Sequence, residues 1–282
     1  MKDLETCRRE IDDIDRQLLQ LFTQRMRVSE EVAAYKVAHN LPILNAQREE
    51  QVIESKLASA QEDLKLYTES FFINLMETSK CHQINQTKPA FTPPFSQTPL
   101  DLSHAVIGCY SKDDTLKSAL LQAYPECQLV LENQMKPLLD GVLAGSFTAA
   151  LLPFENATEG SMDWVYEQMS WIPLYVNQVW KVGQQRCILI SNKLLTSPAC
   201  NTISICIKLP DVRSALNRLL TKYSIYGVNL TKIRSCPDIS SPGEMVFHID
   251  FAGNFAQEPI QRLFNDLSYN YADIRITGIF EG

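Results

Sequence analysis

The chain opens on a long stretch of helical period. From Asp3 to His39 the residues Ile11, Ile14, Leu18, Leu21, Val28 and Val32 recur three or four apart, with Arg25 filling the one gap in the stripe. This spacing predicts one helix of about 50 Å at ~1.5 Å per residue. Pro42 ends it, and two further helices are predicted from Ala46 to Ala60 and from Leu64 to Ile84. Between Asn85 and Leu100, four prolines (Pro89, Pro93, Pro94 and Pro99) stand among Thr, Ser and Gln, the composition of an extended linker. The pattern then alternates. A strand is predicted from Ala105 to Cys109, a helix from Asp114 to Ala123, a strand from Gln128 to Leu131 and a helix from Leu138 to Ala144. The apolar run Phe147 to Leu152 follows, then a helix from Met162 to Met169 and a strand-like stretch from Leu174 to Ile190, which together make an α/β lobe. After Ser197 and Pro198 the order is βαββαβ: Thr202 to Lys208, Val212 to Tyr226, Leu230 to Ser235, Met245 to Phe251, Pro259 to Leu267 and Ile274 to Phe280. The fold class is therefore multidomain, α followed by α/β. A helical domain is expected over residues 1–86, a linker over 87–102, the α/β lobe over 103–196 and a ferredoxin-like βαββαβ domain over 201–282.

Composition narrows the function. With 282 residues, 45% of them hydrophobic, the chain has material for two or three packed cores. Its net charge of −7 is spread without a basic block, so no nucleic-acid partner is expected. No apolar run approaches the ~20 residues that span a bilayer, and Met1 to Glu5 lead straight into alternating charge without signal-peptide character. A cytoplasmic protein with no membrane association is the expectation. The eight cysteines form no CxxC pair and have no histidine at metal-ligand spacing, so they read as free thiols in a reducing compartment, and no metal site is expected.

Cations in the first helix carry the candidate chemistry. Lys36 follows Arg25 by eleven residues, about 20° around the helix and ~16 Å along it, so the two can enter one cavity from opposite ends with a small dianion between them. Arg8 lies seventeen residues before Arg25, roughly 25 Å along the axis, and can join that cavity only from a second copy paired antiparallel. Asn45, Arg48 and Glu49 share one face near the start of the second helix, and Ser79 and Gln83 share one face of the third. Each residue taken singly reads more readily as ordinary surface polarity. Their recurrence on the presumed inner faces of three successive helices favours a site.

These residues resemble the helical chorismate mutase family, through the runs RREIDDIDRQLLQLFTQRMRVSEEVAAYK, LPILNAQREEQVI and ETSKCHQ. The whole chain resembles bifunctional chorismate mutase/prephenate dehydratases with a C-terminal ACT domain. The resemblance implies that Arg25 and the second copy's Arg8 bind the carboxylates of chorismate and that Lys36 and Gln83 donate to the ether oxygen. It further implies that Glu49 accepts from the ring hydroxyl and that Arg48 and Ser79 complete the carboxylate end. Asn45 stands where the family commonly has an acidic residue. No cofactor is implied, because the conversion of chorismate to prephenate is an intramolecular rearrangement. The ligands implied are chorismate and prephenate, and the assembly a homodimer through the N-terminal helices.

The middle block resembles half of a periplasmic-binding-protein-like dehydratase domain. Its run LPFENATEGS is similar to a dehydratase signature loop, and the resemblance places Glu155 and Asn156 in the substrate cleft. The glycine-rich opening after the first strand is reduced to Gly108-Cys109-Tyr110-Ser111-Lys112, the Thr-Arg-Phe motif is absent, and no second lobe fits between Ile190 and the last domain. An inactive dehydratase lobe is expected. The last domain resembles an ACT domain at YGVNLTKI and GEMVFHIDFAG. An amino-acid effector site there would use Ser214, Ala215 and Leu216, in place of Gly-Ala-Leu, with Arg234 and Ser235, in place of Glu-Ser. Two alternatives stay open: an enzyme that keeps its dehydratase activity, and a non-catalytic regulator of a related enzyme. A fragment ending near Gln86 is expected to stay dimeric and active.

Overall fold

The computed structural model describes residues 2–88, 91–92, 101–110, 114–156, 160–161, 163–238 and 241–282. Pro89, Pro93, Pro94 and Pro99 of the expected linker lie outside the described residues, as do Ser111, Lys112 and residues 157–159 of the signature-like loop. The helices are α1 (Leu4–Ala38), α2 (Ala46–Ser59), a 3₁₀ turn (Glu62–Leu64), α3 (Lys65–Thr87), α4 (Asp114–Ala123), α5 (Met135–Leu143), α6 (Asp163–Trp171), α7 (Ala215–Ile225) and α8 (Glu258–Asn270). The strands are β1 (Val106–Tyr110), β2 (Gln128–Glu132), β3 (Ala149–Asn156), β4 (Gly160–Ser161), β5 (Tyr175–Val182), β6 (Gln185–Ser191), β7 (Thr202–Pro210), β8 (Leu230–Pro237), β9 (Glu244–Ala252) and β10 (Ile274–Phe280). Among the described residues no helix is long and apolar enough to cross a membrane.

Contacts divide the chain into two compact units. The helical unit holds Met1–Phe91 together with Asn217–Ile225 of α7 and Arg262–Tyr269 of α8. The sheet unit holds the rest.

In the helical unit α1 starts where Asp3 caps it, its carboxylate accepting from the Thr6 amide at 2.8 Å. It runs 35 residues. Against the expectation of a single interrupted stripe, the helix has two distinct faces. Only Ser29 and Ala33 are buried, with Arg25, Met26 and Lys36 half-buried beside them. Ile11, Ile14, Leu18, Leu21, Val28 and Val32 are between 43% and 61% exposed. The physical reason is that α1 meets α3 on the narrow polar face alone, which leaves the apolar stripe uncovered within one chain.

In the sheet unit ten strands form one sheet in the order β2-β1-β3-β6-β5-β10-β7-β9-β8, with β4 paired to β3. Alternate residues of the central strands enter opposite cores. Ala150, Leu152, Ile188 and Ile190 join one with Leu138, Val142 and Val165. Ala149, Leu151, Cys187 and Leu189 join the other with Ile107, Leu116 and Leu120. Burial on both faces is why the sequence reads there as an unbroken apolar run. The stretch from Leu174 to Ile190, expected as strand-like throughout, is a hairpin of β5 and β6. The break is the two-residue turn Gly183-Gln184, where Gly183 takes φ +61, the glycine-first signature of a tight hairpin turn.

The last four strands keep the order β10-β7-β9-β8, all antiparallel, as the βαββαβ pattern requires. Their sheet does not stand alone, because β10 pairs in parallel with β5 through Gly278 and Val176. A Cβ on Gly278 would lie 2.8 Å from both the Val176 Cβ and its carbonyl oxygen, so only glycine allows that approach.

Candidate active site

The polar face of α1 and the facing residues of α3 make one seam. Arg25 donates to the Ser79 hydroxyl and, at 3.4 Å, to the Leu75 carbonyl. Ser79 is buried and donates to the Leu75 carbonyl one turn back at 3.0 Å, with the Met26 sulfur 3.6 Å away. Burial lowers the pKa of the Arg25 guanidinium. One turn farther along α3, the buried Gln83 amide donates to the Ser29 hydroxyl. The seam thus brings together Arg25, Ser79 and Gln83, with Ser29 as a member that the sequence reading omitted. Ser29 falls four residues after Arg25 and seven before Lys36, and that spacing was the available signal.

Lys36 closes the far end. Its ammonium donates to the Ile43 carbonyl at 2.6 Å, anchoring the connection between α1 and α2. Asn45 caps α2, its side-chain oxygen accepting from the Arg48 amide at 2.9 Å. An asparagine caps a helix as well as an aspartate does, so the departure from the family's acidic residue preserves the local fold. Arg48 is exposed. Glu49 turns to a neighbouring face of α3, where one carboxylate oxygen accepts from Lys80 at 3.0 Å, and the Arg218 guanidinium lies 3.5 Å from the same oxygen. Lys80 also donates to Glu77 at 2.6 Å. Sequence reasoning missed Glu77, Lys80 and Arg218, because nothing in their spacing marks them as partners of a residue in α2.

Arg8 stays apart from this seam. Its side chain is 64% exposed, and Glu5 lies 3.9 Å away on the same helix. Within one chain the geometry groups Arg25, Ser79, Gln83 and Lys36 along α1, holds Glu49 through Lys80, and leaves Arg8 and Arg48 in solvent. Fixed donors in this arrangement suit an anionic ligand.

In the sheet unit Glu155 pairs with Arg186 at 3.2 Å and with Lys232 of β8. Asn156 ends β3, opposite Gln185 in the ladder. Ser214 takes φ +68, a left-handed conformation in which a glycine is at ease and a serine is strained, at the position where a glycine was expected. Ala215 and Leu216 open α7. Arg234 and Ser235 are neighbours on β8, the first half-buried and the second exposed, so the strand turns them to opposite faces. A cavity of about 330 Å³ in this unit is lined by Gln178, Trp180, Leu195, Thr196, Cys200 and Glu281, and includes none of these expected site residues.

Comparison with known proteins places the two units. Residues 7–84 match the family described as chorismate mutase type II. A bifunctional chorismate mutase/prephenate dehydratase of Buchnera aphidicola subsp. Baizongia pistaciae is 23% identical over 184 residues, 64% of this chain and 49% of the relative. The chain thus spans about half the length of that curated relative. The X-ray structure of prephenate dehydratase from Streptococcus mutans aligns with a TM-score of 0.53 at 21% identity, over 62% of this chain and 97% of that one. Prephenate dehydratase from Arthrobacter aurescens, in complex with L-Phe, aligns at 0.54 and 16% identity over 63% and 90%. At these identities the structural likeness speaks for the fold alone. Residues 7–84 match the chorismate mutase type II family, at the head of a chain that is similar to the bifunctional chorismate mutase/prephenate dehydratases.

Proposed function

We propose that the protein converts chorismate to prephenate, in the phenylalanine branch of aromatic amino-acid biosynthesis, as a cytoplasmic homodimer paired through α1. The observation that carries this reading is the seam of Arg25, Ser79, Gln83 and Lys36 inside the matched segment 7–84. The rearrangement needs no nucleophile, proton transfer or metal from the protein. It needs the compact conformer held and charge stabilised on the breaking ether bond. In this reading Arg25, Ser79, Arg48 and the second copy's Arg8 bind the carboxylates, Lys36 and Gln83 donate to the ether oxygen, and Glu49 accepts from the ring hydroxyl. A ~10⁶-fold acceleration asks about 8 kcal/mol of preferential transition-state binding, within reach of several fixed donors in a dry cavity. The exposed apolar stripe of α1 supports pairing, since so much uncovered Ile, Leu and Val calls for a partner surface.

The dehydratase-like lobe is inactive in this reading. Its Glu155 is engaged by Arg186 and Lys232, and the chain carries no Thr-Arg-Phe motif. The C-terminal βαββαβ unit is an ACT domain. Ser214, Ala215, Leu216, Arg234 and Ser235 are its candidate contacts for an amino-acid effector, such as the L-Phe of the Arthrobacter protein. A chorismate-disappearance assay on the full chain tests the leading reading. Wild type is expected to turn chorismate over, and Lys36→Ala to lose at least ~100-fold through one missing charge-assisted donor. Equal activity in both overturns the site. Incubation with prephenate is expected to yield no phenylpyruvate.

A further inference from the structure

The C-terminal helices reach the residues assigned to the mutase site. On α7, Arg218 and Lys222 lie one turn apart and share a face. Lys222 is 1% exposed and donates to Asp266 of α8 at 2.7 Å and to Glu77 of α3 at 3.4 Å. Glu77 accepts from Lys80, and Lys80 donates to Glu49. Arg218 then closes on Glu49 at 3.5 Å and on Glu77 at 3.9 Å. Charge alternates along the whole path, from Asp266 through Lys222, Glu77, Lys80 and Glu49 to Arg218. Both cations at Glu49 use Oε2. Among the described residues Oε1 has no partner, and it is the acceptor left for a ligand hydroxyl.

A second contact acts on Lys36. The Tyr269 hydroxyl of α8 accepts from the Ile43 amide at 3.1 Å, and the carbonyl of the same Ile43 holds the Lys36 ammonium at 2.6 Å. Ile43 is buried, so the peptide that anchors Lys36 is itself pinned from the C-terminal block.

Resting on the mutase reading of residues 7–84, we propose that Arg218 and Tyr269 are positioning residues of that site, Arg218 for Glu49 and Tyr269 for Lys36. A stabilising role alone fits Arg218 poorly. Its side chain is 42% exposed, and an ion pair so open to water adds little to stability. What it does is hold one rotamer of a carboxylate that has two cations on one oxygen.

The two residues are expected to leave opposite kinetic signatures in the full chain. Glu49 meets the ring hydroxyl in ground and transition state alike, so Arg218→Ala raises KM for chorismate about five- to tenfold with kcat nearly unchanged. Lys36 meets charge that develops at the ether oxygen, so Tyr269→Phe lowers kcat about five- to tenfold with KM nearly unchanged. Arg218→Lys restores most of the KM, and in a Glu49→Ala background Arg218→Ala adds nothing further. Thermal unfolding fixes the folded fraction at the assay temperature, and Arg218→Gln replaces the alanine variant should that one unfold. Wild-type constants in both single variants overturn the proposal, as does an equal fall of kcat in both that persists when Glu49 is already alanine. Absence of chorismate turnover in the wild type overturns the mutase reading itself, and this proposal with it. Turnover with unaffected variants overturns this proposal alone.

Discussion

Two inactive variants, mixed, test whether the site is shared between copies. Arg8→Ala removes the guanidinium assigned to the second copy, and Lys36→Ala removes the ammonium assigned to the first. Along the single helix Leu4–Ala38, Arg8 precedes Arg25 by seventeen residues, about 25 Å, so it cannot serve the seam of its own chain. The Arg8 side chain points into solvent, and the apolar residues flanking that stretch, Ile11 at 56% and Ile14 at 55% exposure, are uncovered as well. Each variant alone is expected to lose about 100-fold, the cost of one charge-assisted donor to a substrate anion. In a heterodimer one site combines the Lys36 of one chain with the Arg8 of the other and is intact, while the second site carries both lesions. Random re-pairing of equal amounts makes about half the dimers mixed, each with one working site, so the mixture recovers about one quarter of wild-type activity. That is roughly 25-fold above either parent. The assay is chorismate disappearance before and after co-refolding from urea, with two affinity tags reporting heterodimer formation. Heterodimers that form and stay at the parental rate would refute the shared site.

Three further outcomes follow from packing and charge. Lys222→Met leaves Asp266 and Glu77 buried without their common cation, and should destabilise the helical unit by about 3–5 kcal/mol in urea unfolding followed by helical circular dichroism. Neutralising Asp266 and Glu77 in the same chain should recover most of that loss, and a Lys222→Met cost below about 1 kcal/mol would mean the network is not buried as described. His248, buried and facing Arg234, Lys232 and Arg275, has its pKa pushed down to about 4, by burial first and by those cations second. The folded chain keeps it neutral where the unfolded chain takes a proton, so its contribution of about 3 kcal/mol is present above pH 6.5 and is lost as pH falls from there toward 4. Urea midpoints between pH 7 and 4.5 should fall less steeply in His248→Gln than in wild type, and parallel curves would contradict the assignment. Gly278→Ala forces a Cβ to 2.8 Å from backbone and side chain of Val176, and should cost about 1–3 kcal/mol in the sheet unit, read as a lower melting temperature.

What could be read from the sequence was local. The period of α1 and the alternation from Thr202 to Phe280 each depend on neighbours within a few residues, and their elements appear within a few residues of the expected ends. The residues of the seam were also legible, because Arg25 and Lys36 on α1 and Ser79 and Gln83 on α3 repeat at helical spacing. What the pattern could not reveal was which neighbour each face meets. The apolar stripe and the polar seam of α1 differ by a small rotation, and only the placement of α3 decides that the seam, not the stripe, is covered within the chain. The join of β5 to β10 hangs on Gly278 and Val176, about a hundred residues apart, with no local signal beyond the glycine itself.

The ionic path through Glu77 is the clearest case, because each member taken alone is an unremarked charge on an amphipathic helix. Lys222 reads as a last-turn lysine and Asp266 as a solvent-facing acid, yet both are essentially inaccessible to water. Burial of that kind is tolerated only when the charges satisfy one another, so the pairing had to arise together with the docking of α7 and α8 on α3. Cutting the chain near Gln86 would strip Glu77 and Cys81 of Lys222, and Glu49 of Arg218. The helical segment that looked self-sufficient as a pattern therefore shares the partners of its buried carboxylate and of its proposed hydroxyl acceptor with helices more than a hundred residues downstream.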